Sequence, residues 1–399
     1  MKKIISLITG ILISTILISC NTTKVLEENT KENNESNKYV IMERNIESIN
    51  NDKSFFPLFY DVDVLYGKMS PKSGEYTDEM IIPYYLDNKG EFKKVEEGKF
   101  TDEELDFIKN FTVNEGVGIY MVDFNKLSER KFYYMDVINK IKFELKDFQK
   151  IYNEIKLKSG NSATLGFKLN GNNNYYIYEY FSMENHEIRE LKEAFIIDIE
   201  NHRYYTVNNN KNLVHFYYDN NEKSIMAIDK EGKISRVILG EDSVIFKDYK
   251  ELKLGDEKIY QKFGYYKPDF NNNCLILKVE NNESKEYLDY YNIMYNTISN
   301  EIIFLDKEKI ILGSLSNTNF YIVLYKDNRY LAEVSENGDI NLIYKLDDDE
   351  YKYMYSISNE SGDNIFIARI KLSEENLKNP DKPIVDEEIK YSILEIEER

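Results

Sequence analysis

The chain has 399 residues, 71 acidic side chains against 52 basic ones for a formal net charge of -19, and is 42% hydrophobic and 14% aromatic with no tryptophan. That apolar content supports a large core, which excludes wholesale disorder and a disulfide-stapled miniature. The acidity argues against nucleic acid and anionic headgroups as partners, so attachment to a membrane would have to be covalent.

Met1-Lys2-Lys3 opens with positive charge, and Ile4 to Ile18 is apolar apart from Ser6, Thr9, Gly10, Ser14 and Thr15. The stretch of about 15 residues reads as a secretory signal, since a spanning helix needs roughly 20. It ends in Leu17-Ile18-Ser19-Cys20, which resembles the lipobox of bacterial lipoproteins: a branched aliphatic, a small residue, then the cysteine. The resemblance implies Leu17 and Ser19 as signal-peptidase recognition residues, transfer of diacylglycerol to the Cys20 thiol, cleavage before it, and N-acylation with a fatty acid such as palmitate. Several acyl chains anchor stably where one is marginal. Residues 1–19 are therefore expected to be a signal peptide, and 20–38, rich in Asn, Glu and Thr, a lipidated cysteine on a flexible polar tether. Asn21 is not the aspartate of inner-membrane retention, so inner and outer membrane stay open.

From 39 to 399 the sequence reads as one β-rich domain. Runs of five to eight residues rich in Ile, Val, Tyr and Phe are separated by Asn, Asp, Gly, Ser and Lys clusters. In chain order these include Gly118–Val122, Tyr175–Phe181, Ala194–Ile199, Leu213–Tyr218, Leu275–Val279, Phe320–Tyr325 and Asn364–Ile370. Thr101 to Phe111 predicts a short helix with a capping threonine and acids in its first turn. Residues 144–156 carry Leu145, Phe148, Ile151, Tyr152 and Ile155 at helical spacing, with two strands as the other reading. Hairpin turns after Asp87, Asp123, Asp198, Asp229, Asn296 and Ser335 suggest a period near 35 with two units blurred.

An all-strand chain of this repeat predicts an all-β fold, a β-propeller of six to eight four-stranded blades with a few short helices. The alternatives are a large antiparallel meander or tandem β-sandwiches. Leu372 to Glu388, with Pro380 and Pro383, reads as a loop, and Ser392–Ile396 as a last strand. Either that run or Tyr39–Met42 is expected to close the propeller, which would remove an open sheet edge.

Chemical motifs are sparse. His186, His202 and His215 show no metal spacing, and His215 reads as a strand histidine. Cys274, in an apolar run, reads as a small buried residue. Gly116-Val117-Gly118 lacks the rest of a phosphate loop, and Ser128-Glu129-Arg130-Lys131 lacks the companion motifs of a serine nucleophile. Asp61-Val62-Asp63 and Asp347-Asp348-Asp349-Glu350 lack calcium-loop spacing and read as solvated charge. Seven Tyr-Tyr pairs, among them Tyr84-Tyr85, Tyr175-Tyr176, Tyr217-Tyr218 and Tyr290-Tyr291, should each place one ring in the core and the other against solvent or a partner.

No catalytic residue, metal or cofactor is expected. The sequence points to a monomeric, lipid-anchored binding or scaffold protein of the cell envelope, extracytoplasmic, joined to the membrane through Cys20 and recognising a protein or polymer. Two other readings stand beside it: an envelope propeller enzyme acting on a glycan or small molecule through axial carboxylates, and a transporter-associated substrate-binding lipoprotein.

Overall fold

The computed structural model describes residues 38–46, 53–71, 82–87, 90–96, 98–110, 116–122, 131–150, 162–169, 172–184, 187–208, 212–241, 243–254, 259, 269–271, 274–280, 290–315, 318–348, 350–359, 361–371 and 388–398. Among them are seven antiparallel sheets, taken up one after another along the chain. Sheet 1 holds β2 (Lys53–Asp61), β3 (Val64–Pro71), β4 (Ile82–Leu86) and β5 (Phe92–Lys94). Sheet 2 holds β6 (Val117–Val122), β7 (Lys131–Asp136) and β8 (Ile141–Glu144), and sheet 3 β9 (Ser162–Leu169), β10 (Asn172–Glu184), β11 (Glu187–Asp198) and β12 (Arg203–Asn208). Sheet 4 holds β13 (Leu213–Asp219), β14 (Ser224–Asp229), β15 (Lys233–Leu239) and β16 (Val244–Glu251). Sheet 5 holds β17 (Asp269–Asn271), β18 (Cys274–Glu280), β19 (Tyr290–Asn296) and β20 (Ile302–Phe304). Sheet 6 holds β21 (Ile310–Ser314), β22 (Phe320–Tyr325), β23 (Asn328–Val334) and β24 (Ile340–Lys345).

Sheet 7 joins the two ends of the described chain. Its order is β1 (Tyr39–Ile46), β27 (Ile389–Glu398), β26 (Asn364–Lys371) and β25 (Tyr351–Ser358), with Tyr39 opposite Glu398 and Ile46 opposite Tyr391. Both runs expected to close the fold do so, by pairing with each other. The fold is a seven-bladed β-propeller, and neither a continuous meander nor a pair of sandwiches.

The chain divides into two compact units, one of Met1–Glu115, Leu315–Glu333 and Asn341–Arg399, the other of Gly116–Ser314 and Val334–Ile340. In the second unit the packing follows a strict alternation. In β14, Ile225 and Ala227 join a cluster with Ile177, Phe181, Ala194 and Ile196 of sheet 3, whereas Met226 and Ile228 join Leu275, Leu277 and Ile293 of sheet 5. In β11, Ala194 and Ile196 face that first cluster, and Phe195 and Ile197 face Tyr134 and Phe143 of sheet 2. Strands β11 and β14 thus bury both faces, which is why their sequences carry apolar residues at successive positions. In the first unit, Phe55, Leu65 and Leu86 of sheet 1 pack on Phe366, Tyr391 and Ile393 of sheet 7. The Phe55 backbone is held at both groups: its N–H donates to the Tyr391 hydroxyl at 2.8 Å and its carbonyl accepts from Tyr355 at 2.7 Å.

Helix α1 (Asp102–Asn110) opens on a reciprocal cap. The Glu104 N–H donates to Thr101 Oγ1 at 3.2 Å and the Thr101 N–H to Glu104 Oε2 at 2.8 Å, while Phe107 and Ile108 are buried. Residues 148–150 are helical, and 151–156 lie outside the described residues, as do 372–387.

The period near 35 needs correction. First strands of successive sheets are spaced from 41 residues (Asp269 to Ile310) to 64 (Lys53 to Val117). The marker turns are not equivalent: Asp87, Asp198, Asn296 and Ser335 follow a third strand, Asp229 a second and Asp123 a first.

Candidate functional site

The side chains with most chemical potential are charges set inside apolar strands. In β18, Leu275, Leu277 and Val279 point to the cluster shared with sheet 4. Period two therefore puts Lys278 on the other face, opposite Asn292 and diagonal to Tyr290 in β19. All three are buried. Lys278 Nζ donates to the Tyr290 hydroxyl at 3.3 Å, lies 4.5 Å from the ring centroid, and reaches the Leu312 carbonyl of β21 at 3.5 Å. Asn292 Oδ1 accepts the Ile311 N–H at 2.9 Å. Its Nδ2 is buried and has no hydrogen-bond partner among the described residues. One residue past Leu312, a Cβ placed on Gly313 would meet nothing within 4 Å. Burial, and then the Lys278 charge, push the His215 imidazole down to about 4, so it is neutral at neutral pH. Side chains of β18 and β19 thus bring an ammonium and an amide to consecutive residues of β21, with the Tyr290 phenol beside the ammonium. That donor set suits an anion and not a metal ion.

A second constellation is structural. Arg369 of β26 donates from Nε to the Leu346 carbonyl at 2.5 Å, and from a terminal nitrogen to Glu43 Oε1 at 2.6 Å and to Ser392 Oγ at 2.8 Å. Tyr344 donates to the other Glu43 oxygen. Burial works to raise the Glu43 carboxyl, but the Tyr344 hydrogen bond and the Arg369 charge outweigh it and hold it below its ordinary value. The network ties β1 to β26 and β27 across the closure. Glu179 of β10 is the opposite case: fully buried, with Oε1 unpartnered among the described residues, its carboxyl is pushed up to about 8 by burial.

Cys20, Leu17, Ser19, His186 and Ser128 lie outside the described residues. His202 sits exposed in a turn at φ 53° with its ring stacked 4.6 Å from Phe143. Cys274 is free and buried, its thiol pushed up by burial and by the Glu336 charge.

The run from Asp347 to Glu350 is not uniformly solvated. Asp347 is buried against Arg329, with Oδ2 accepting the Arg329 N–H at 2.8 Å and Oδ1 the Tyr353 N–H at 2.5 Å. Asp348 caps the next turn by accepting from Glu350 and Tyr351 N–H groups. Asp136, Asp198, Asp219, Asp229 and Asn296 do the same at other strand ends, so these hairpin markers are turn caps. Asp61 is ion-paired with Lys99 at 3.4 Å. No group of three or more His, Cys, Asp or Glu able to hold a metal occurs among the described residues.

The tyrosine pairs also differ from expectation. Tyr176 is buried toward sheet 2 while half-buried Tyr175 packs on the cluster shared with sheet 4, and Tyr217 and Tyr218 divide between the sheet 4 clusters in the same way. Tyr290 and Tyr291 are both buried. In the Tyr175-Tyr176 and Tyr217-Tyr218 pairs the second ring meets a neighbouring sheet and not solvent, because both faces of β10 and β13 are covered there.

No protein-family model and no curated protein matches the chain. Solved structures similar to it include the WD40 domain of Neurospora crassa Pan2, at 8% identity over 85% of this chain and 88% of that one with TM-score 0.42. Oligogalacturonate lyase from Vibrio parahaemolyticus is 10% identical over 90% and 97%, TM-score 0.43. TolB from Acinetobacter baumannii is 11% identical over 97% and 91%, TM-score 0.34.

Proposed function

We propose that the chain is a lipid-anchored binding protein of the bacterial cell envelope. Acylated Cys20 holds it to the outer face of a membrane, residues 21–38 form the tether, and the propeller, acting as a monomer, recognises a protein or polymer of the envelope. The observation that carries this reading is the Leu17-Ile18-Ser19-Cys20 sequence after an apolar leader, followed by a polar stretch that leads directly into β1. Strand β1 is ion-paired into sheet 7 through Glu43 and Arg369, so a pull on the tether meets a fastened strand.

Cys20→Ala is expected to move the protein from the membrane to the soluble fraction of cells. Retention of that variant in the membrane fraction would overturn the anchor. Crosslinking in cells, with recovery through a tag after Arg399 and mass spectrometry, should return one envelope component in reproducible stoichiometry; recovery of background alone would overturn the macromolecular partner.

A further inference from the structure

We infer that Glu179 is a proton-operated latch at the base of the β10–β11 hairpin: with its carboxyl neutral the far part of the hairpin lies on sheet 4, and loss of the proton lets that arm lift. The inference stands on sheets 3 and 4 alone and does not depend on the membrane anchor. In β10, Ile177 and Phe181 pack with Phe216 and Ile225 of sheet 4, while Tyr176 and Tyr180 face sheet 2. Period two therefore turns Glu179 to sheet 4, opposite Ala194 of β11, where it is 2% exposed with Oε1 unpartnered among the described residues. Just beyond it the hairpin changes character. The β10–β11 register shifts between Tyr180 and Phe181 and again between Ser182 and Met183, which leaves Lys192 and Arg189 of β11 as extra residues. Strand β12 pairs no further than Glu193 and β9 no further than Ser182, so beyond these points the hairpin has two strands only among the described residues. A two-stranded hairpin is marginal alone. Phe181 and Leu191, buried in the cluster shared with sheet 4, hold this one down. Phe181 is also the next side chain to Glu179 on that face, so lifting the arm and wetting the carboxyl are one motion.

The titratable side chains that period two places on this face are Tyr175, Asp198, Arg203 and Tyr205 in sheet 3 and Tyr218, Asp229, Lys233 and Asp248 in sheet 4. None of them offsets the burial that holds the Glu179 carboxyl at about 8, against an ordinary 4.5. The closed arm thus binds the proton more tightly than the lifted one. Closure is at its firmest below 4.5 and weakens as pH rises to 8.

Hydrogen exchange of the full-length protein between about pH 5 and 8 tests the latch. Amide exchange is base-catalysed, so an opening indifferent to pH gives a rate that climbs about tenfold per pH unit, whereas one that releases a proton climbs up to about a hundredfold. Amides that join β10 and β11 between Phe181 and Leu191 are expected to exchange faster than the slowest amides of β14 and β19, and with the steeper dependence. Glu179→Gln, with Glu179→Met as a second neutral variant, should return the arm to the tenfold slope and slow its exchange at pH 8 at least tenfold relative to the wild type. The latch is overturned if the wild-type arm follows the tenfold slope. It is equally overturned if the arm exchanges only as slowly as β14 and β19, since it then opens with the whole sheet, or if the steep slope survives in a folded neutral variant, which assigns it to another group of the arm such as His186, Glu187 or Glu190.

Discussion

Arg369, Glu179 and Lys278 are charged residues that interrupt apolar strands, and the fold treats each differently. Arg369 is engaged by Leu346, Glu43 and Ser392. Arg369→Met takes the cationic donor from the Glu43 carboxylate, which keeps only neutral donors such as Tyr344, and the Arg369 Nε donor from the Leu346 carbonyl; it should cost about 3 kcal/mol in urea unfolding, with partial recovery in the Arg369→Met, Glu43→Gln double variant. Glu179 Oε1 has no such partner among the described residues. Its folded carboxyl titrates near 8 against an ordinary 4.5, so the folded state binds the proton more tightly than the unfolded one. Stability contributed by this group is present below pH 4.5 and is lost as pH rises toward 8. At about 1.4 kcal/mol per unit the loss is a few kcal/mol. Glu179→Gln should flatten that slope between pH 5 and 8 in parallel denaturation curves; a slope equal to that of the wild type would contradict the assignment. Lys278 is the third. Sequence carried the signal for all three, a lone charge in an apolar run as in Ile276-Leu277-Lys278-Val279, but nothing local distinguishes a closure clamp from a protonated core acid or a buried ammonium. That difference depends on which strand lies opposite.

At the scale of the element, turns were the most legible feature. Strand ends at Asp198, Asp229 and Asn296 stand where the acid or amide side chain caps the next backbone N–H groups. Thr101 and Glu104 announce the helix start by spacing alone. The β2–β3 turn is an exception to local preference. Asp61 pairs with Val64, so Val62 and Asp63 form a two-residue loop, and Val62 lies at φ 57° with 74% of its surface exposed. A β-branched residue is strained there, and no packing compensates it. Val62→Asn should raise stability by about 1 kcal/mol, read as an upward shift of the urea midpoint. The capped turns also explain why acids misled as a repeat marker: a cap is useful at any hairpin, so it recurs without keeping blade register.

For the whole molecule, fold class was legible because strands buried on both faces must be apolar throughout, and only stacked sheets cover both faces of so many strands. Period was not, since loop lengths between sheets vary freely while sheet packing is kept. The tyrosine doublets fell to the same cause: a sequence shows two faces but not that each is covered by another sheet.

The pairing of Tyr39 with Glu398 has a consequence in time. The first described strand pairs with the last described one, so during synthesis β1 has to wait for residues 389–398 to arrive, about 350 positions later. Contacts of such sequence separation are late and slow to form. Chains truncated before Ile389 should therefore leave residues 39–46 open to proteolysis however well the intervening sheets have formed, whereas the complete chain protects them. Arrival of residues 389–398 and closure of sheet 7 are then a single event, and a copy that stops short of Ile389 exposes residues 39–46 to the proteases that would remove it.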